Sequence, residues 1–275
     1  MIDLTYAVHP LPISVLPMPN PHEIKAFFDE NGYYLARAVY SPPEIAGLER
    51  EVDRIVEQNI RLKESPDKSW KGEAVDRLNV GKTSFIHTHQ VHYYSARWLQ
   101  AVQHPAFLDV AEAILGPDIV LHHTKLLQKP AEKGAPFPMH QDWSYFPTVK
   151  DTMIGGTIAV TRATDEMGCL RVYPGSHKLG RLPNSGGQQY SEFMGKNYPL
   201  ERATIIEAEA GDVLFFHYLT IHGSMPNRSA QVRKNVLVQL HSGQDRIEPG
   251  NGHVDSRLVL RGWSHVATQS YCEAH

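Results

Sequence analysis

The chain lacks the features that would tie it to a membrane, a nucleic acid or an oxidising compartment. No stretch of its 275 residues approaches the roughly 20 consecutive apolar residues of a bilayer-spanning helix. The opening segment, MIDLTYAVHPLPISVLP, has neither the basic start nor the long apolar run of a secretory signal. There is no basic run, and the formal net charge is −3, so neither nucleic acid nor anionic membrane is an expected partner. Cys169 and Cys272 are the only cysteines, too few and too far apart for a disulfide framework. A reducing, cytoplasmic setting is therefore expected. Histidine, by contrast, is plentiful at sixteen residues. One metal site uses only a few of these, so most are expected to be structural or exposed.

Two textures follow one another along the chain. In the first hundred residues helical signals dominate. Asn20-Pro21-His22-Glu23 supplies an N-cap, a proline at the first helical position and a capping glutamate, with Gly32 as the stop. Ser41-Pro42-Pro43-Glu44 repeats the device, and Ile45, Leu48, Val52, Ile55 and Val56 follow at helical spacing. A third helix is predicted over Pro105 to Leu115, closed by Gly116. Residues 61–71 read as a polar loop. From residue 118 short extended runs take over: 119–128, 153–161, 169–173, 204–208, 213–222 and 235–241, divided by turn formers such as Pro174-Gly175 and Gly211-Asp212. Helices first and strands afterwards predict an α+β protein with helices packed outside an antiparallel sandwich or jelly roll. The expectation is one domain over 1–275, with a helical part at about 20–116 and a β core at about 118–243. The segment 179–202, weak in apolar periodicity, reads as a long loop of the kind that often serves as a lid.

The chemistry is concentrated in His140-Gln141-Asp142, His222 and Arg233. A histidine and a carboxylate two residues apart on an extended strand point to one side. Such a pair is common by chance, and the joint pattern is what counts. His222 ends an apolar strand and shares its parity with Ser224. Arg233 follows a polar turn at the start of the next apolar strand, which would bring it beside Ser224 if the two strands run back on each other. Two imidazoles and one carboxylate on one face of an octahedral metal, with the other face open, suit non-haem Fe(II). An arginine behind them offers a fixed fork of donors for the far carboxylate of a dicarboxylic acid.

On the stretches HQDWSYFP (140–147), MGCLRVYPGSHKLG (167–180) and AGDVLFFHYLTIHGSMPNRSAQVRKN (210–235), the chain resembles the phytanoyl-CoA dioxygenase (PhyH) family of Fe(II)/2-oxoglutarate-dependent oxygenases. The resemblance can be followed from about Ile24 to Leu240. It implies a double-stranded β-helix (jelly-roll, cupin-like) core buttressed by N-terminal helices, with Fe(II) as metal and 2-oxoglutarate and O₂ as cosubstrates. It implies iron ligation by His140, Asp142 and His222, and pairing of Arg233, assisted by Ser224, with the distal carboxylate of 2-oxoglutarate. Lys125, Gln141 and Arg77 fall on positions that line the cosubstrate pocket. Two departures reshape that pocket: Thr157 stands where a tryptophan is common, and Thr161-Arg162 where an acidic pair is usual. Asp142 is retained where related halogenases carry a small residue, which points to hydroxylation or another oxidation.

The resemblance further implies a small-molecule substrate, with release of succinate and CO₂; an acyl-CoA thioester is the alternative. Trp143, Tyr145 and Arg162 are candidate substrate contacts. Zinc hydrolysis on the same ligands, or ligand binding without turnover, are the competing classes; the first has no use for Arg233, and the intact ligand triad argues against the second. The remaining histidines have bland readings. His217 has the opposite parity to His222, His122 and His123 are expected to be structural, and His87, His89 and His92 lack a carboxylate at ligand spacing. Arg171, His177 and Trp263 are expected to serve turns and packing. Oligomeric state is not legible.

Overall fold

Seven antiparallel strands form the larger of two facing sheets, and their alternation decides what faces the site. The computed structural model describes residues 20–62, 86–183, 185, 192–251 and 253–266; Arg77, Cys272 and most of the predicted 61–71 loop lie outside them. In chain order the elements are α1 (Pro21–Asn31), β1 (Tyr33–Ala36), α2 (Pro42–Arg61), β2 (Ile86–His89), α3 (Val91–Tyr94), α4 (Ala96–Ala101) and α5 (Pro105–Leu115). These are followed by β3 (Ile119–Lys129), β4 (Phe137–His140), β5 (Ile154–Ala159), β6 (Leu170–Val172), α6 (Glu192–Asn197), β7 (Thr204–Ile206), β8 (Val213–His217), β9 (His222–Ser224), β10 (Arg233–Ser242) and β11 (Leu258–Arg261).

The large sheet runs β1-β8-β5-β10-β3-β11, with β2 also paired to β3; the small sheet runs β4-β9-β6-β7. Two antiparallel sheets face to face, with helices on the outside of the larger, make a double-stranded β-helix of the α+β class. Among the described residues no helix is long and apolar enough to cross a membrane.

The helices start and stop where local chemistry requires. The Asn20 side chain accepts from His22 N at 3.0 Å, and Gly32 ends α1 in the left-handed region (φ 74°). Glu44 reaches back to accept from Ser41 N at 2.8 Å at the start of α2. Phe107, Val110, Ala111 and Ile114 of α5 join the core with Val236, Val238 and Leu240 of β10, Ile154 and Ile158 of β5, and Val213 and Phe215 of β8. Each fully buried valine, leucine, isoleucine or phenylalanine among them contributes roughly 1.5–3 kcal/mol. The even residues of β10 thus face the helices. The odd ones, Arg233, Asn235, Leu237 and Gln239, are left for the inner face.

Several sequence expectations change here. The predicted 213–222 strand is two strands, β8 and β9, lying in different sheets. Arg233 and Ser224 are therefore not brought together by a hairpin; they line one cavity from the two different sheets. The N-terminal part is not purely helical, because β1 and β2 extend the large sheet. The 179–202 loop contains α6. Trp263, expected to pack, is 74% exposed.

Candidate active site

A cavity of about 150 Å³ opens between the two sheets, lined by the inner-face residues of β3 and β10 on one side and by β4 and β9 on the other. His140 is the last residue of β4, and Asp142 is the first of a short 3-10 turn, Asp142–Ser144. The two are therefore not on one continuous strand. Gln141 is still extended (φ −113°, ψ 143°), which preserves the alternation and turns both side chains to one side. His222 opens β9, which pairs with β4 so that His140 and His222 are cross-strand partners. Their ring centroids lie 4.2 Å apart.

The ligand atoms converge. Oδ1 of Asp142 is 3.3 Å from His140 Nε2 and 3.7 Å from His222 Nε2. Among the described residues these three form the one group of ligand atoms close enough to share a metal ion. The protons are already placed elsewhere. His140 Nδ1 donates to Pro138 O at 2.8 Å, and His222 Nδ1 donates to Thr220 O at 2.9 Å. A neutral imidazole with its proton on Nδ1 presents a lone pair at Nε2. Burial, with the adjacent His140, pushes His222 down to about 4 against the pull of Asp142, which keeps it neutral near pH 7. Burial alone would raise the Asp142 carboxyl. His222, His140 and the amide of Gln239 outweigh it and hold the group below its usual value. Gln239 Nε2 donates to Asp142 Oδ2 at 2.7 Å, fixing the carboxylate so that Oδ1 faces the imidazoles. Two nitrogen lone pairs and one carboxylate oxygen, all preset, suit a divalent ion of the Fe(II) type.

Behind them lies a buried cation. Arg233 is 3% exposed and lines the cavity; one nitrogen donates to Gly168 O, while Nε has no partner. Burial lowers its pKa to about 10, with Cys169 pulling the other way, so the guanidinium is charged at neutral pH. An unpaired buried charge is costly, and such a site is completed by an anion. Gly168 sits at φ +67°, where a Cβ would come within 2.2 Å of Met225 O; only glycine lets its carbonyl approach the arginine there.

Directly across from Arg233 on β3 is Lys129, also buried. It donates to Ser224 Oγ at 2.7 Å and to Met225 O. Burial, with Arg233 adjacent, lowers its pKa well below the ordinary lysine value.

Of the residues expected in the site, His140, Asp142, His222, Ser224, Arg233, Lys125, Thr157 and Tyr145 line this one cavity. Three do not. Gln141 is spent on structure: its Nε2 donates to Gly180 O and Leu219 O, and its Oε1 accepts from Trp143 Nε1 and Leu182 N. Trp143 is turned the same way, bonding Gln141 and Ser185 Oγ with Arg181 stacked 5.3 Å from its ring. Arg162 is 61% exposed and paired with Glu209 at the surface, so it does not reach the cavity. Arg171 is tied to Asp165 and Leu200 O, and His177 to Asp29 O. Lys129 and Gln239 were missed, although strand parity carried the signal. Lys129 continues the 125, 127, 129 row, and Gln239 ends the row that Arg233 begins.

The description "Phytanoyl-CoA dioxygenase (PhyH)" belongs to the family whose sequence profile matches residues 28–235. A probable phytanoyl-CoA dioxygenase of Caenorhabditis elegans is 28% identical over 78% of this chain and 73% of its own length. An ectoine dioxygenase of Bordetella parapertussis is 25% identical over 90% of this chain and 82% of its own. Among solved structures, the epimerase SnoN in complex with Fe3+, alpha ketoglutarate and nogalamycin RO superposes with a TM-score of 0.68 at 20% identity, covering 88% of this chain and 98% of that one. At that identity the likeness speaks for the fold.

Proposed function

The chain belongs to the phytanoyl-CoA dioxygenase family of Fe(II)- and 2-oxoglutarate-dependent oxygenases, and from that premise we propose that it oxidises, most simply by hydroxylation, an unactivated C–H bond of a small metabolite, with release of succinate and CO₂. In this reading the chain is a single oxygenase domain, and His140 Nε2, Asp142 Oδ1 and His222 Nε2 hold the iron. The observation that carries the proposal is the coexistence, in one cavity, of three preset ligand atoms and an arginine with an unpaired donor.

Iron, 2-oxoglutarate and O₂ supply the oxidising chemistry, and the cosubstrate leaves as succinate after losing CO₂. The protein's part is orientation and exclusion of water. Arg233 anchors the distal carboxylate through charge-assisted bonds, worth about 1.5–3 kcal/mol each. Ser224 Oγ accepts from Lys129, so its own hydroxyl proton remains to be donated to that carboxylate. Lys129 is thus a positioning residue. Tyr145, Phe146, Leu170 and Leu237 contribute apolar lining to the cavity, which helps to keep water away from these interactions. That a relative is named an ectoine dioxygenase supports a small-molecule substrate.

Anaerobic titration of the ferrous protein with 2-oxoglutarate tests the reading. The expected result is a weak visible band from the ferrous chelate, followed by succinate formation on exposure to O₂. A protein that binds zinc in the same place and gives neither band nor succinate would instead belong to the hydrolase class.

A further inference from the structure

The end of the cavity away from Arg233 carries a basic wall, and it includes Lys125, which the family resemblance had placed in the cosubstrate pocket. His89 of β2 is the cross-strand partner of Lys125 on β3. His123 lies two residues back on the same inner face, and His253 comes from the segment between β10 and β11. All four line the cavity. The three imidazole centroids form a nearly regular triangle with sides of 6.0, 5.8 and 5.3 Å. Phe146 packs against His123 and His253 at 5.2 and 5.4 Å.

The wall is built into the fold by a β-bulge. Leu121 pairs with Leu240 and joins the helix-side core, whereas His123 pairs with Gln239 and lines the cavity. Residues two apart on a regular strand share a face, so the extra residue at His122 is what turns His123 inward. His122 and His123 then share a proton between their Nδ1 atoms at 2.6 Å. His122 Nε2 is buried without a partner. A buried N–H without an acceptor is rarer than a buried lone pair without a donor, which places the shared proton on His122. His123 therefore carries its own proton on Nε2 and presents that atom as a donor. Among the described residues lining the cavity, Asp142 is the only carboxylate, and it faces the iron ligands. The wall is not a second metal site, because its three rings do not bring ligand atoms together as His140, Asp142 and His222 do.

We infer that His89, His123, Lys125 and His253 bind the anionic head group of the substrate, a carboxylate or phosphonate on a small molecule, through imidazole N–H groups and the lysine ammonium. The inference rests on the oxygenase reading above and gives that reading its substrate class. The wall adjoins the metal ligands, since Gln239, cross-strand from His123, bonds Asp142. Lys125 and Lys129 are four residues apart on β3, on the order of 13 Å, so the two ends of the cavity serve different anions.

The test is calorimetric titration of the iron- and 2-oxoglutarate-loaded, O₂-free protein with inorganic phosphate and, separately, with acetate. Saturable binding of one or both is expected, and the stronger of the two identifies the head group. His89→Ala and His253→Ala lie at exposed or half-exposed positions; each is expected to weaken that binding about tenfold and to leave 2-oxoglutarate affinity unchanged. Equal anion affinity in wild type and variants, no anion binding in wild type, or a second equivalent of metal lost in the variants each overturns the inference. The oxygenase reading fails separately, by absence of the ferrous chelate band, and repeating the anion titration on metal-free protein keeps the two failures apart.

Discussion

Gln239 donates its side-chain amide to Asp142 Oδ2 at 2.7 Å, joining the inner face of the large sheet to the carboxylate of the candidate metal centre across 97 residues of sequence. The bond selects which oxygen of Asp142 faces the two imidazoles. Gln239→Leu keeps the size and removes the donor, leaving the carboxylate free to rotate and without a hydrogen bond on Oδ2. The expected outcome is about a 10- to 100-fold loss of Fe(II) affinity, measured by anaerobic metal titration, with 2-oxoglutarate affinity reduced only through the metal.

Arg233→Met separates binding from stability. Loss of two charge-assisted bonds to the cosubstrate should raise the 2-oxoglutarate dissociation constant about a hundredfold or more. The same change removes a buried cation that has no carboxylate partner among the described residues of the cosubstrate-free protein. The thermal midpoint of that protein should therefore stay level or rise. A clear fall in the midpoint would mean that the guanidinium is already compensated.

At Gly168 two constraints coincide, a positive φ and a neighbouring carbonyl 2.2 Å from where a Cβ would lie. That carbonyl belongs to Met225 and accepts from Lys129, and Gly168's own carbonyl accepts from Arg233. Gly168→Ala should cost about 1–3 kcal/mol in urea unfolding and also weaken 2-oxoglutarate binding, since both Arg233 and Lys129 are moved. A purely structural glycine would show only the first effect.

Acidification should destabilise the metal-free protein in a defined window. Burial, with His241 and His253 nearby, takes His122 down to about 3. Burial, with His122 adjacent, takes His123 well below its ordinary value. The unfolded chain takes up these protons near pH 6.5 while the folded protein refuses them. The stability they contribute is full above pH 6.5 and is lost as pH falls towards 3. Each histidine adds a slope of about 1.4 kcal/mol per pH unit. Urea midpoints at pH 7, 6 and 5 should fall in sequence, and His122→Phe should flatten the trend.

Much of this was readable along the chain, and the reasons are local. Asn20, Gly32, Ser41 and Gly116 mark helix ends because capping depends on residues within a few positions of one another. The side-chain types at 140, 142 and 222, with Arg233, pointed to one site because only certain side chains can ligate iron or fork onto a carboxylate, and the fold brings them to one cavity. The same reading misassigned Gln141, Trp143 and Arg162. The alternation that faced His140 and Asp142 inward could not show that the Gln141 amide is consumed by Gly180, Leu219 and Leu182, or that Arg162 finds Glu209 at the surface.

By itself, then, the sequence determined where helices begin and end, that the core is β, and which side chains are competent for iron and a dicarboxylate. Tertiary structure decided the rest. It placed β8 and β9 in different sheets, set Lys129 opposite Arg233, brought Gln239 to Asp142, and used one bulged residue to turn His123 from the helices to the cavity. The physical reason is that strand pairing and register are set by partners tens of residues away, and a shift of one residue reverses every side chain that follows.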